Sequence, residues 1–324
     1  YGLVSKYIKD ERLRQVLSFH PLLVGGNPFS TTSIYTLILY LERKWGVHFP
    51  IGGTGALVNG LVDLIKGQGN RLRLNATVDQ ILVENGSVRG VMLEGGEKLE
   101  AEVVVSNADS AWTYRRMIAP EHRKTWTDKK IERSKYSMSL FVWYFGTDRK
   151  YEDVAHHTIM LGPRYKELLT DIFKRHVLAP DFSLYLHRPT ATDPKLAPDG
   201  CDGFYVLSPV PHLDADVDWN ERAEPYRRMV EAHLENTILP GLSKHVIASK
   251  TMTPIHFREE LLSERGAAFG LEPVLTQSAY FRPHNKSEDI KGLFLVGAGT
   301  HPGAGVPGVL SSARVLDGLV PDAA

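Results

Sequence analysis

Near the carboxyl end, Gly297-Ala-Gly-Thr-His-Pro-Gly-Ala-Gly-Val-Pro-Gly308 has the composition of a loop that meets a ligand with its backbone. Glycines there let main chain approach a flat or phosphorylated group. The apolar segment Leu293–Val296 runs into the loop, and a helix is expected to leave it from about Gly308. A helix start offers free N–H groups and a positive dipole end to an anion or an electron-rich carbonyl, and Pro307 suits a first helical turn. Gly303–Gly308 satisfies G-x-G-x-x-G literally, yet it lies several residues past the strand, and no βαβ unit with its acidic residue follows. The plainer alternative is a turn that packs a helix tightly on a sheet.

Other candidates carry less. Gly52-Gly53-Thr54-Gly55 precedes a helix and is either a second ligand loop or a helix-entry turn. Ser106-Asn-Ala-Asp109 ends a strand, a place for ligands in α/β sheets, but a plain strand-terminating turn is the expected reading. Thirteen histidines raise a metal hypothesis, but none has the H-E-x-x-H spacing. On a strand, adjacent His156 and His157 would point to opposite faces, so no metal site is expected. There is no G-x-S-x-G elbow for a serine nucleophile.

The elements that must position these residues change rhythm along the chain. Residues 1–45 read as helical, with Ile34, Leu37, Ile38 and Leu41 at i, i+3, i+4, i+7. Tyr35, Leu39 and Tyr40 leave that helix without a clean polar face, as core, a tunnel wall or a membrane contact would require. A helix bearing Leu57, Leu61, Leu64 and Ile65 follows the first glycine loop. Short strands come next at Leu72–Leu74, Val78–Val83, Val88–Leu93 and Leu99–Ser106, with Asn85-Gly86 and Gly95-Gly96 as hairpin turns. The uniformly apolar Val103-Val-Val105 predicts a strand covered on both faces. Later strands are expected at Leu140–Phe145, Phe182–Leu186, Phe204–Leu207 and Val246–Met252, and a helical stripe at Tyr226, Met229, Val230, His233, Leu234 and Thr237.

Composition excludes several classes. The 324 residues carry 38 basic and 38 acidic side chains, and no basic run meets the needs of a nucleic-acid binder. Cys201 is the only cysteine, so neither an intrachain disulfide nor a thiolate metal cluster can form, and a reducing, cytosolic compartment fits. No run of eighteen apolar residues exists, so no spanning helix is expected.

Read together, several stretches resemble one family. They are Ser18-Phe-His-Pro-Leu-Leu-Val-Gly-Gly-Asn-Pro28, Phe49-Pro-Ile-Gly-Gly-Thr-Gly-Ala-Leu57, Val105-Ser-Asn-Ala-Asp109, Ala155-His-His-Thr158 and Asp181-Phe-Ser-Leu-Tyr-Leu-His187. To these add Glu272-Pro-Val-Leu-Thr-Gln-Ser-Ala-Tyr-Phe-Arg-Pro-His-Asn285 and the terminal glycine loop. Over essentially its whole length the chain resembles bacterial-type phytoene desaturases, within the wider amine-oxidase-like flavoproteins.

The resemblance implies an α/β plus α+β fold: a discontinuous Rossmann-like FAD domain with an inserted mixed-sheet and helical substrate domain. Segments 46–109 and 285–324 would form the FAD domain, and 1–45 and 110–284 the substrate and membrane-associating domain. FAD is the implied cofactor. Gly297, Gly299, Thr300, Gly303, Gly305, Val306, Pro307 and Gly308 would lie along its flavin ring, Val78 beside the adenine end, and Gly52 and Gly53 close to the cofactor. The implied substrate is phytoene, a long apolar polyene met at a membrane surface by a cytoplasmic, peripherally attached protein. Such enzymes open with strand, G-x-G-x-x-G and helix; nothing of that pattern precedes Tyr1, so the chain is expected to be the C-terminal part of a longer one. The implied reaction passes a hydride to flavin and loses a proton from the neighbouring carbon. His20, His301 and Arg282 are available as base or charge stabiliser, with none assigned. A carotenoid isomerase, a ketolase, another polyene desaturase, a non-catalytic lipid- or partner-binding remnant and a soluble amine-oxidase-like enzyme are the alternatives.

Overall fold

Asn85 and Gly86 take positive φ, 50° and 74°, and make the expected hairpin turn between β1 (Val78–Glu84) and β2 (Ser87–Leu93). The computed structural model describes residues 1–321; residues 322–324, the end of the expected 285–324 segment, lie outside the described residues. The remaining strands are β3 (Lys98–Glu100), β4 (Val104–Ser106), β5 (Ser139–Thr147), β6 (His157–Met160), β7 (Leu184–His187), β8 (Asp202–Val210), β9 (Val246–Met252) and β10 (Leu293–Leu295). The longer helices are α1 (Thr36–Trp45), α2 (Gly53–Gly67), α3 (Trp219–Thr237) and α4 (Val306–Asp317).

The chain folds into two units, each built from separated segments. The first takes residues 1–44, 75–138 and 256 onward. It holds the antiparallel sheet β1-β2-β3 and a parallel pair, β10 beside β4. Its core gathers Tyr114, Trp126, Ile131, Leu271, Leu293 and Leu295. The second unit takes residues 45–74 and 139–255 and is organised by a sheet of order β6-β7-β8-β5-β9. β8 alternates buried and half-buried along its nine residues, as a strand with one face on a core must. Trp143, Phe145, Leu184 and Leu186 from the sheet pack with Tyr226 and Leu234 of α3. Of the predicted stripe on α3, Tyr226, Val230 and Leu234 are buried, Met229 and His233 half-buried, and Thr237 exposed.

Five expectations change. The inserted sheet is antiparallel throughout rather than mixed, because each strand pairs with its partners in opposite directions. The units also divide differently from the expected 46–109 plus 285–324 and 1–45 plus 110–284. Residues 110–138 and 256–284 contribute Tyr114, Trp126, Ile131 and Leu271 to the core that also holds β10, whereas residues 45–74 belong with the second unit. Leu72–Leu74 forms no strand, since it joins none of the three sheets. The segment Leu99–Ser106 splits into β3 and β4 because its halves pair with different partners, β2 and β10. Val105 on β4 is 46% exposed, so the apolar run that predicted a doubly covered strand has one open face.

Candidate functional site

The parallel pairing of β4 with β10 sets Ser106 opposite Leu295, and the Val296 N–H donates to the Ser106 carbonyl (2.9 Å). Both strands therefore end together, and the segments that leave them meet. Gly297 takes φ 96°, and a Cβ added there would collide with the Asn107 side-chain oxygen. At Gly299 a Cβ would lie 2.8 Å from Ser110 Oγ, which donates to the Gly299 carbonyl (3.2 Å). Two stretches almost 190 residues apart thus form one ledge at the carboxyl ends of parallel strands, the usual ligand position in open α/β sheets. The plain strand-ending turn expected at Ser106–Asp109 is also one wall of this ledge.

The loop is held from behind. The Gly297 N–H donates to Ser312 Oγ of α4 (2.8 Å). Buried Thr300 accepts from Asn285 Nδ2 (3.4 Å), which also donates to the carbonyls of His301 (2.9 Å) and Leu295 (3.2 Å). Arg282 is 3% exposed and donates through Nη2 to the Ala298 carbonyl (2.8 Å) and through Nη1 to the Leu271 and Gln277 carbonyls (3.3 and 3.4 Å). Burial lowers the affinity of its guanidinium for the proton, with Tyr35 and Asp109 acting in the opposite sense. Its Nε and His301 Nδ1 are buried with no hydrogen-bond partner. The loop delivers Gly305 (φ 93°) as the N-cap of α4, and no side chain caps that helix. Its first N–H groups are therefore available. At Gly308 a Cβ would sit 2.6 Å from the Gly303 carbonyl, so the loop closes on the first turn of α4 too tightly for any side chain. Such a ledge can receive a flat group with an electron-rich edge.

The other expected residues fall elsewhere. Val78 opens β1 in the same unit as the loop and is half-buried. Gly52 and Gly53 belong to the second unit, where the Gly52 N–H donates to Asp193 Oδ2 (2.7 Å) and both glycines take positive φ at the entry of α2. His20 is buried with Nε2 3.4 Å from Glu42, and burial lowers its basicity against the pull of that carboxylate.

Sequence reasoning named Asp109 only as the end of a turn. Its Oδ1 accepts from the Trp112 N–H (3.0 Å), capping a short helix. Burial raises its carboxyl to about 6, the Trp112 hydrogen bond opposing and Glu264 reinforcing the shift. The folded state then holds this proton more tightly than the unfolded state, so the group's contribution is greatest at low pH and declines as pH rises through about 6. Asp109→Asn keeps a good capping acceptor and removes the ionisation. Its stability relative to the parent is expected to improve by on the order of 1–3 kcal/mol between about pH 4 and pH 7. Urea melts of both proteins across that range check it; a difference that ignores pH refutes the assignment.

The histidine expectation needs correction. His156 lies just before β6, so strand alternation does not separate it from His157, and the two rings stack at 4.3 Å. His157 and His187 are direct partners across β6 and β7. One nitrogen of each of the three falls within 4.8 Å of the others. Local spacing could not reveal this, because the register that joins them spans thirty residues.

Comparison with known proteins places the chain in a family. Residues 2–315 match the family model described as flavin containing amine oxidoreductase. The chain is 53% identical over 328 residues to a neurosporene-forming phytoene desaturase of Cereibacter sphaeroides, covering 100% of this chain and 63% of the relative. It is 49% identical to a lycopene-forming phytoene desaturase of Pantoea ananas, covering 99% of this chain and 65% of that one. The chain thus spans somewhat less than two thirds of these relatives. Among solved structures, an oxidoreductase of Methanosarcina mazei aligns at TM-score 0.67 and 20% identity, over 98% of this chain and 67% of that one. A redesigned putrescine oxidase aligns at TM-score 0.64 and 11% identity, over 98% of this chain and 66% of that one. At such identities these two bear on fold alone.

Proposed function

Because the chain belongs to the flavin containing amine oxidoreductase family, we propose that it is part of an FAD-dependent phytoene desaturase that converts phytoene toward lycopene. Identity near 50% to phytoene desaturases along the whole chain carries this reading. The ledge fits the group: Gly297, Gly299 and Gly308 admit no side chain, α4 starts uncapped, and two polar atoms beside it are buried without partners among the described residues. We assign Gly297, Gly299, Thr300, Gly303, Gly305, Val306, Pro307 and Gly308 to hold the flavin ring, with Val78 at the adenine end. When bound, the flavin supplies the acceptor for a hydride from a saturated carbon of the polyene. The chain's own work is orientation and electrostatics. The N–H groups at the start of α4 stabilise negative charge developing at the ledge. Arg282 fixes the Ala298 carbonyl and with it the course of the loop. The proton lost from the neighbouring carbon is not assigned to a residue.

Peripheral attachment to a membrane from the cytoplasmic side belongs to the same proposal. Ile34, Leu37 and Tyr40 are each more than half exposed beside or on α1, a surface an apolar lipid or polyene would cover. No helix among the described residues is long and apolar enough to cross a bilayer.

The test expresses the complete gene in cells that accumulate phytoene. Products with lengthened conjugation, together with flavin absorbance in the purified protein, are the expected result. A change of double-bond geometry without new double bonds would point to an isomerase, and a protein without flavin would refute the proposal.

A further inference from the structure

We propose that His156, His157 and His187 form a binding site for a divalent first-row transition ion of the zinc type, within the second unit and independent of the flavin chemistry. Imidazole nitrogen is the shared preference of zinc, copper, nickel and cobalt ions, and three such ligands with an open fourth position are a familiar set. The geometry is close to what the ion requires. His157 Nδ1 and His187 Nδ1 stand 3.4 Å apart. Two nitrogens bound tetrahedrally at about 2.0–2.1 Å from zinc are separated by about 3.3 Å. His156 is adjacent, and its ligand atom lies within 4.8 Å of the other two.

Two further observations bear on the site. First, His156 Nε2 is buried without a hydrogen-bond partner, while its Nδ1 lies 2.5 Å from Thr192 Oγ1. That contact occupies one ring nitrogen and orients the ring, as outer partners of metal-bound histidines do. Second, the Tyr185 hydroxyl lies 2.6 Å from His157 Nδ1 and 3.1 Å from His187 Nδ1. That hydroxyl donates to one ring and can accept from the other, and so holds the two side by side. The Phe49 ring packs against His156 and His187 at 4.7 and 5.8 Å and screens one side, while exposed His157 leaves an entry path.

The experiment titrates the purified chain with Zn²⁺ alone, and with Co²⁺ alone as a spectroscopic probe. One ion per chain, with the visible bands of a tetrahedral, nitrogen-ligated Co²⁺, is expected. His157→Gln, at an exposed position that the fold tolerates, should weaken binding by more than about tenfold, since even outer-partner losses cost that much. Zinc should raise the melting temperature of the parent and not of a His156→Gln/His157→Gln/His187→Gln variant. His122→Gln and His284→Gln, outside the cluster, should bind as the parent does. A folded parent that retains no ion overturns the proposal. So does a His157→Gln chain that binds within about twofold of the parent, or a triple variant still stabilised by zinc.

Discussion

Gly297→Val is expected to destabilise the chain by about 3 kcal/mol or more and to strip flavin from the protein made from the complete gene. Two costs act together. The backbone at φ 96° is one that a β-branched residue does not accept, which costs on the order of 1–3 kcal/mol. The new Cβ also runs into the Asn107 carboxamide, and overpacking at a fixed ledge adds about 1–3 kcal/mol. Gly95→Val separates the two. Gly95 has nearly the same φ, 92°, but nothing within 4 Å of an added Cβ. It should suffer the backbone cost alone and keep its flavin. Thermal melts and flavin absorbance of both variants decide the matter. Equal losses in the two would show that strain is the whole effect and that the ledge against Asn107 has no special role.

That contrast also shows what the sequence makes legible. The loop at Gly297–Gly308 announces itself because glycine at that density has few other uses, and the structure places it between β10 and α4 as its flanks suggest. Its opposite wall is not legible. Asn107 and Ser110 reach the loop only through the parallel pairing of β4 with β10, a contact between segments whose local patterns are silent about each other. The hairpin at Asn85-Gly86 was readable for the opposite reason, since its signal and its structure are both local. Periodicity found α3 and its buried stripe, yet it could not say which segments share a core. Residues 110–138 and 256–284 join β10 through Tyr114, Trp126, Ile131 and Leu271, side chains whose types fit any core. The histidines mislead in a third way. Alternation separates His156 from His157 only if both lie within the strand, and the strand begins at His157.

Arg282 should separate holding the loop from simply filling space. It is buried, and its partners are three carbonyls rather than a carboxylate in salt-bridge contact. Arg282→Ala leaves those carbonyls without their donors and opens a cavity, for a net loss of about 2–4 kcal/mol. Arg282→Met fills much of the same volume without the charge. Removing a buried charge also removes its desolvation cost, so the Met variant should recover most of the stability. It should not recover the loop, because nothing then fixes the Ala298 carbonyl, and flavin affinity should fall by roughly tenfold, the worth of one charged hydrogen bond of ~1.4 kcal/mol or more. Arg282→Lys keeps the charge on a compact head that cannot span three acceptors, and should lie between the two. Urea melts report the stability, and fluorescence titration with FAD of protein from the complete gene reports the affinity. Stability and affinity that fall in step through Ala, Met and Lys would reduce Arg282 to a packing role. A Met variant that is stable but poor in flavin would place the guanidinium in the machinery that shapes the ledge.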